Sequence, residues 1–300
     1  MPWFMERLKE GHFKVVNPYN NRSKIVPAGP DQVHSIVFWS KNFGPFIAGD
    51  YGMRLEEMGY HLFFNFTINS SVPILEPAVP SLGKRVEQLA ALSRQFGSRT
   101  INWRFDPLSF FSTGDGSIGN NLADFSGIAA AVFDAGIERC ITSYMDFYPK
   151  INKRVKKIPG FAFYDPPIEK KIDILYQLQA TLGSYGIELH VCCEKALLEK
   201  LPVDLSVKAS SCVPNELLAE LYGQGVSLRK DAGQRVKAGC GCGVSVDIGS
   251  YKEHPCKHGC LYCYASPTKT ENRTPGARAT EDGASEEDGR QSREKVSGGR

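Results

Sequence analysis

The sequence lacks long apolar runs, and this shortage excludes membrane-spanning proteins. Its longest apolar stretch lies around Ile128–Phe133 and is far too short to cross a bilayer. The first residues, Met1–Arg7, contain no apolar core of the kind a secretory signal needs. We therefore expect a cytoplasmic protein with no membrane partner.

The sequence also has little excess of either charge. Its 36 basic and 33 acidic side chains leave a formal net charge of +3 over 300 residues, so nucleic acid is not an expected partner. One basic run, Lys150–Lys157, could hold a phosphate or nucleic-acid substrate, but it contains no aromatic residues. We interpret it as a solvated surface loop.

Cysteine is present in an odd number, and its distribution argues against a disulfide framework. Five of the nine cysteines lie beyond residue 239. An odd number of clustered cysteines in a chain without secretory features favours reduced thiols and metal ligation.

The most informative cluster reads Cys256-Lys-His-Gly-Cys260-Leu-Tyr-Cys263. Three closely spaced thiolates suit a soft metal, and a four-iron cluster held by three cysteines leaves one iron open to an exchangeable ligand. We predict that this loop binds a 4Fe-4S cluster. His254 and His258 flank it and are interpreted as hydrogen-bond donors to the ligands or as exposed residues.

The other cysteines receive separate interpretations. Cys240 and Cys242 lie in a glycine-rich loop and are candidate ligands of a second metal. With Cys212 and a histidine they could form a zinc site, but no set of four ligands follows from sequence. Three more lie in or beside apolar strands and are most simply small core residues: Cys140, Cys192 and Cys193.

Helices and strands alternate along the chain. Apolar stripes of helical period over 82–96, 122–133 and 168–182 each end near a glycine, and a strand follows each, over 100–105, 139–144 and 187–192. Further strands are predicted at 35–39, 61–66 and 244–248. This alternation predicts an α/β fold with a parallel sheet, most simply a TIM-barrel-like (β/α) repeat.

Charged side chains follow several of these strands, where a barrel places its active face. We expect them to line a cavity for a small-molecule substrate or cofactor, shared with the cysteine loop after 244–248. The alternative is that they cap helices or pair with one another. The candidates for catalytic roles are Lys41, Arg104, Asp106, Asp146 and Glu194.

Five motifs carry a family resemblance over nearly all of residues 1–266. They are Asn17–Asn20, Val37–Asn42, Trp103–Pro107, Asp247–Tyr251 and Cys256–Ala265. They resemble those of the domain of unknown function 1848 family, whose C-terminal cysteine cluster is similar to that of radical SAM enzymes.

The resemblance implies that Cys256, Cys260 and Cys263 are cluster ligands and that Tyr262 occupies the aromatic position beside the cofactor. It further implies S-adenosylmethionine as a cofactor and a ferredoxin- or flavodoxin-type reductant. Two features of these families are absent from the sequence: an N-terminal strand resembling Ser-Arg-Arg-Thr-Asp-Ile-Pro, and the Gly-Gly-Glu stretch that contacts S-adenosylmethionine. Without that strand, the barrel is expected to be incomplete at its N-terminus.

Two rival functions remain open. In one, zinc held by Cys240, Cys242 and the loop cysteines stabilises a barrel that binds a ligand. In the other, the barrel is a hydrolase that uses Asp106 and Glu194 as acid and base. In every case we expect a folded domain over 1–266 and, on composition, a disordered tail over 267–300.

Overall fold

The computed structural model describes residues 1–17, 21–250 and 253–265 and has a mixed α/β architecture. The strands are β1 (His12–Val16), β2 (Ser23–Pro27), β3 (Ile36–Ser40), β4 (Leu62–Thr67), β5 (Ile101–Leu108), β6 (Phe110–Thr113), β7 (Ser117–Asn120), β8 (Arg139–Tyr144), β9 (Phe161–Tyr164), β10 (Glu188–Val191) and β11 (Lys208–Ala209). The helices are α1 (Pro2–Lys9), α2 (Gly44–Ala48), α3 (Tyr51–Glu57), α4 (Leu82–Phe96), α5 (Phe125–Asp134), α6 (Pro149–Val155), α7 (Ile168–Gly183), α8 (Lys195–Leu198) and α9 (Asn215–Tyr222).

A six-stranded parallel sheet organises the molecule. Its spatial order is β3-β4-β5-β8-β10-β11, which follows the order of the strands along the chain. The predicted parallel sheet is thereby confirmed, and three of the predicted units match the helix–strand pairs α4–β5, α5–β8 and α7–β10. Because the strands are parallel, their carboxyl ends meet at one edge of the sheet.

The sheet is open, so the closed form of the predicted barrel is not found. Within the described ranges β3 and β11 are the two edges and no ladder joins them. The strand predicted at 244–248 is also wrong, because those residues form no regular strand. Its alternating Val244 and Val246 are exposed, so no sheet neighbour buries them.

Helices α4, α5 and α7 cover one face of the sheet, and α9 together with irregular chain covers the other. Alternation along β4 and β5 directs Phe64 and Trp103 toward the helices, where they contact Phe96 of α4 and Phe125 of α5. On the opposite face, Phe63 packs with residues from α9 and from the chain beyond it. This second face therefore receives the C-terminal part of the chain.

Two small antiparallel sheets complete the fold. One pairs β1 with β2, and the other places β6 between β7 and β9. No helix in the described ranges is long and apolar enough to cross a membrane. The predicted tail, 267–300, lies outside the described residues, as do parts of the Asn17–Asn20 and Asp247–Tyr251 motifs.

Candidate metal centre

The cysteine loop docks at the carboxyl edge of the sheet, beside the long connection from β4 to α4. Cys260, Leu261 and Tyr262 are buried in an apolar cluster that includes Leu75. The Leu261 amide donates to the Leu75 carbonyl at 2.8 Å. The loop thus reaches the face expected from sequence, although no strand leads into it.

Arg154 of α6 holds the turn between the last two loop cysteines. Its Nη1 donates to the carbonyl oxygens of Cys260, Leu261 and Cys263 at 3.3, 2.7 and 3.0 Å. Partial burial lowers the pKa of Arg154, whereas the nearby thiols oppose that shift. Arg154 belongs to the basic run Lys150–Lys157, whose sequence predicts a solvated loop. Its guanidinium instead holds the cysteine loop in place.

The three loop thiols differ in exposure. Cys260 is buried, Cys263 is half-buried and Cys256 is exposed. Burial raises the pKa of the Cys260 thiol to about 12, although the nearby Lys41 ammonium opposes the shift. A metal ion would have to displace this proton, and it would find Lys41 and Arg154 in place to offset the thiolate charge.

A buried polar network lies directly against the loop. Glu76 Oε1 accepts from Lys41 Nζ at 3.0 Å, from Asn69 Nδ2 at 2.8 Å and from the Tyr262 hydroxyl. Burial alone would raise the pKa of Glu76, but Lys41 and the hydrogen bonds outweigh it and hold that pKa below its usual value. Burial and the Glu76 charge raise the pKa of Tyr262, so its hydroxyl stays protonated.

The network continues to an ion pair at the end of β5. Asn69 Nδ2 donates to the Asp106 carbonyl at 3.0 Å, and the Asp106 amide donates back to Asn69 Oδ1 at 2.8 Å. Arg104 Nη2 donates to Asp106 Oδ2 at 2.6 Å, and Ser143 donates to the other carboxylate oxygen. Burial would raise the pKa of Asp106, but the Arg104 charge and the Ser143 hydrogen bond outweigh it, so the pKa is lowered.

Two predicted site residues lie apart from this network. Asp146 is exposed and forms an ion pair with Arg235. Glu194 accepts the Tyr144 amide at 2.9 Å, and burial raises the pKa of its carboxyl. The structure therefore brings Lys41, Arg104, Asp106 and Tyr262 together near the loop, but it places Asp146 and Glu194 elsewhere on the same edge.

Cys240 and Cys242 do not join the loop cysteines. They pack in a separate cluster with Cys193 and Cys212. Arg104 Nη1 donates to the Cys212 sulfur, so the ion pair at the end of β5 stands between the two groups of thiols. In the described part of the chain, no three or more His, Cys, Asp or Glu side chains are arranged as they stand to hold a metal ion.

Sequence reasoning missed Asn69, Glu76 and Arg85. The buried Arg85 Nη1 donates to the Asn69 carbonyl at 2.9 Å and lies 3.9 Å from Glu76 Oε2. The available signal was the long connection between β4 and α4, because such loops are uncommon unless they have a function. Glu76 lies nine residues beyond β4, too far for a rule that considers only the residues next to a strand end.

The fold and the site define an open, parallel α/β protein with thiols and a buried charged network at the carboxyl edge of its sheet. The family model described as Domain of unknown function (DUF1848) matches residues 1–265, so the chain belongs to that family and the resemblance is confirmed. Among curated proteins, none matches the chain.

Proposed function

We propose that the protein is a cytoplasmic iron–sulfur enzyme of the radical SAM type, with a 4Fe-4S cluster held by Cys256, Cys260 and Cys263. The observation that carries the proposal is the position of the loop. A turn bearing two of the thiols is fixed by Arg154 and Leu75 against the buried network of Lys41 and Tyr262.

The donor set fits such a cluster in number and in charge. Three thiolates serve three irons and leave the fourth iron open to a ligand. Cys256 is exposed, so that end of the loop lies next to solvent, while Cys260 is buried beside the network. Lys41 and Arg154 provide positive charge beside the thiols, as a cluster of net negative charge requires.

When bound, the cluster would supply one electron for reductive cleavage of S-adenosylmethionine, after receiving it from a ferredoxin- or flavodoxin-type reductant. The chain's own residues would bind and orient the small-molecule substrate. The Lys41 ammonium lies 5.5 Å from the centre of the Tyr262 ring. A carboxylate or phosphate group on the substrate would suit this position.

Anaerobic purification followed by iron, sulfide and zinc analysis tests the proposal. We expect about four irons and four sulfides per chain, and loss of both when Cys256, Cys260 and Cys263 are changed together to Ala. Cys140→Ala is the matched control, because Cys140 is buried in β8 and packs in a different hydrophobic cluster from either group of thiols. Zinc without sulfide at the loop would overturn the proposal, as would hydrolytic activity that survives the loss of Cys260.

Arg154 provides a second test that leaves every thiol in place. Arg154→Gln removes the three hydrogen bonds to the loop carbonyls, so we expect the cluster to be lost about tenfold faster on exposure to air. Lys153→Gln, one residue earlier on the exposed side of α6, is the control and should behave like the unaltered protein. Equal rates for the two variants would contradict the role of Arg154.

A further inference from the structure

Five cysteines outside the loop lie close together, and we call them the five-thiol cluster. The Cys192 Sγ lies 3.7 Å from Cys193 Sγ and 3.6 Å from Cys212 Sγ. Cys193, Cys212, Cys240 and Cys242 pack in one cluster, where the last two are close enough to influence the pKa of neighbouring thiols. The five thiols come from three separate segments of the chain.

The spacing of these sulfurs is informative. All of the cysteines are free thiols, and a disulfide would need sulfurs about 2.05 Å apart. Two thiolates bound to one tetrahedral zinc ion at about 2.3 Å lie about 3.8 Å from each other. In a four-iron cluster each cysteine binds a different iron, so its sulfurs are farther apart. The 3.6 Å between Cys192 Sγ and Cys212 Sγ therefore suits two ligands of a single ion.

The chain holds the three segments together through backbone contacts. The Gly243 amide donates to the Val213 carbonyl at 2.9 Å, and the Ser210 amide donates to the Val191 carbonyl at 2.9 Å. A Cβ added at Gly241, between Cys240 and Cys242, would lie 2.9 Å from the Ser210 carbonyl oxygen. Glycine at this position allows the two cysteines to reach the segment that carries Cys212.

The region beyond α9 has little regular secondary structure, so a cross-link there would add to its stability. Residues 224–250 contain only a short 3-10 turn at Val236–Ala238 and one isolated bridge between Lys230 and Gly243. An irregular stretch of this length is uncommon inside a folded domain, and its internal backbone hydrogen bonds form only short turns and this bridge. A metal ion would tie it to the sheet at β10.

We infer that the five-thiol cluster is a structural zinc site, in which Cys212, Cys240 and Cys242 supply three ligands and one of the adjacent Cys192 and Cys193 supplies the fourth. Four thiolates on zinc carry a net charge of −2. Arg104 and Arg235 lie beside Cys212 and Cys193 and offset part of this charge, although each also pairs with an aspartate. Binding requires the thiols to lose their protons and turn toward a common centre.

The inference stands on contacts separate from those of the proposed iron–sulfur loop, so the two are tested separately. A protein with Cys256, Cys260 and Cys263 all changed to Ala removes the loop ligands and leaves the five-thiol cluster intact. We expect about one zinc per chain in this background. Adding Cys242→Ala should lower zinc at least about tenfold, whereas adding Cys140→Ala should not.

A cobalt titration of the background protein tests the site even if the Cys242→Ala variant fails to fold. Zinc is removed from the background protein with a chelator under reducing conditions, and cobalt(II) is then added. We expect thiolate-to-cobalt charge-transfer absorption and the visible bands of a tetrahedral site at about one cobalt per chain, displaced by zinc. Zinc below about a tenth per chain with no cobalt–thiolate absorption would overturn the inference, as would iron with sulfide at this cluster. Neither result bears on the iron that the unaltered protein is proposed to bind through Cys260.

Discussion

The two groups of thiols differ in how the chain assembles them. The loop cysteines lie within eight residues of one another, and their turn is fixed from outside by Arg154. The five-thiol cluster joins segments separated by as many as 50 residues, from Cys192 to Cys242, and the Cys192 sulfur contacts those of Cys193 and Cys212 directly. A local motif suits a replaceable, reactive centre, whereas a long-range one suits a cross-link that stabilises the fold.

The largest effect should separate the two groups by their contribution to stability. Cys242→Ala removes a ligand of the proposed zinc site, and we expect it to lower the free energy of unfolding by about 4 kcal/mol. Cys260→Ala should cost about 1 kcal/mol, although we expect it to abolish the proposed iron binding. Thermal unfolding of the metal-loaded proteins measures the difference, with midpoints about 10 °C apart. Equal midpoints would mean that the two groups do not differ in this way.

The ion pair between the two groups should give the next largest effect. Asp106→Asn leaves the buried Arg104 without its carboxylate, and we expect a loss of about 3 kcal/mol at pH 7. The pKa of Asp106 is lowered in the folded protein, so its contribution is present above the ordinary aspartate pKa and is lost as the pH falls toward the folded value. The difference between variant and unaltered protein should therefore shrink on acidification from pH 6 to about pH 3. Urea unfolding of both proteins at several pH values measures this stability difference. A difference that does not change with pH would contradict the prediction.

A smaller effect should come from the backbone at the five-thiol cluster. A Cβ at Gly243 would lie 2.3 Å from the Asn215 side chain, which donates to the Ser227 carbonyl. Gly243→Ala should therefore cost about 2 kcal/mol and reduce zinc retention. Gly83→Ala in α4 is the control, since a Cβ there meets nothing within 4 Å and alanine favours a helix. Chemical denaturation with zinc analysis tests both, and equal stability of the two variants would count against the close contact.

The smallest effect should come from one hydroxyl beside the loop. Tyr262→Phe removes the donor to Glu76 and an acceptor for Asn69, at a cost of about 1 kcal/mol. Tyr164→Phe, at the end of β9 and 40% exposed, should be nearly neutral. The reduction potential of the proposed cluster, measured by anaerobic titration, should move in Tyr262→Phe and not in Tyr164→Phe. A shift of equal size in both would show that the Glu76 network does not influence the cluster.

Local patterns in the sequence predicted a large part of the fold. Helices α4, α5 and α7 and the strands after them follow from apolar periodicity and from glycines in the left-handed region such as Gly97 and Gly136. The prediction failed at 244–248, where Val244, Val246 and Ile248 alternate as in a strand but meet no partner strand. Alternation shows that a segment could form a strand, whereas pairing depends on what lies beside it.

The sequence by itself determined the spacing of Cys256, Cys260 and Cys263, the membership of the family and the alternation of helices and strands that predicts a parallel sheet. Each of these is visible along the chain without knowing which distant segments touch. Only the tertiary structure decided that Glu76 and Arg154 belong to the loop site. It also decided that Cys192 and Cys193, interpretable from sequence as core residues, meet Cys212, Cys240 and Cys242. Contacts between distant segments depend on how the whole chain packs, and no local pattern encodes them.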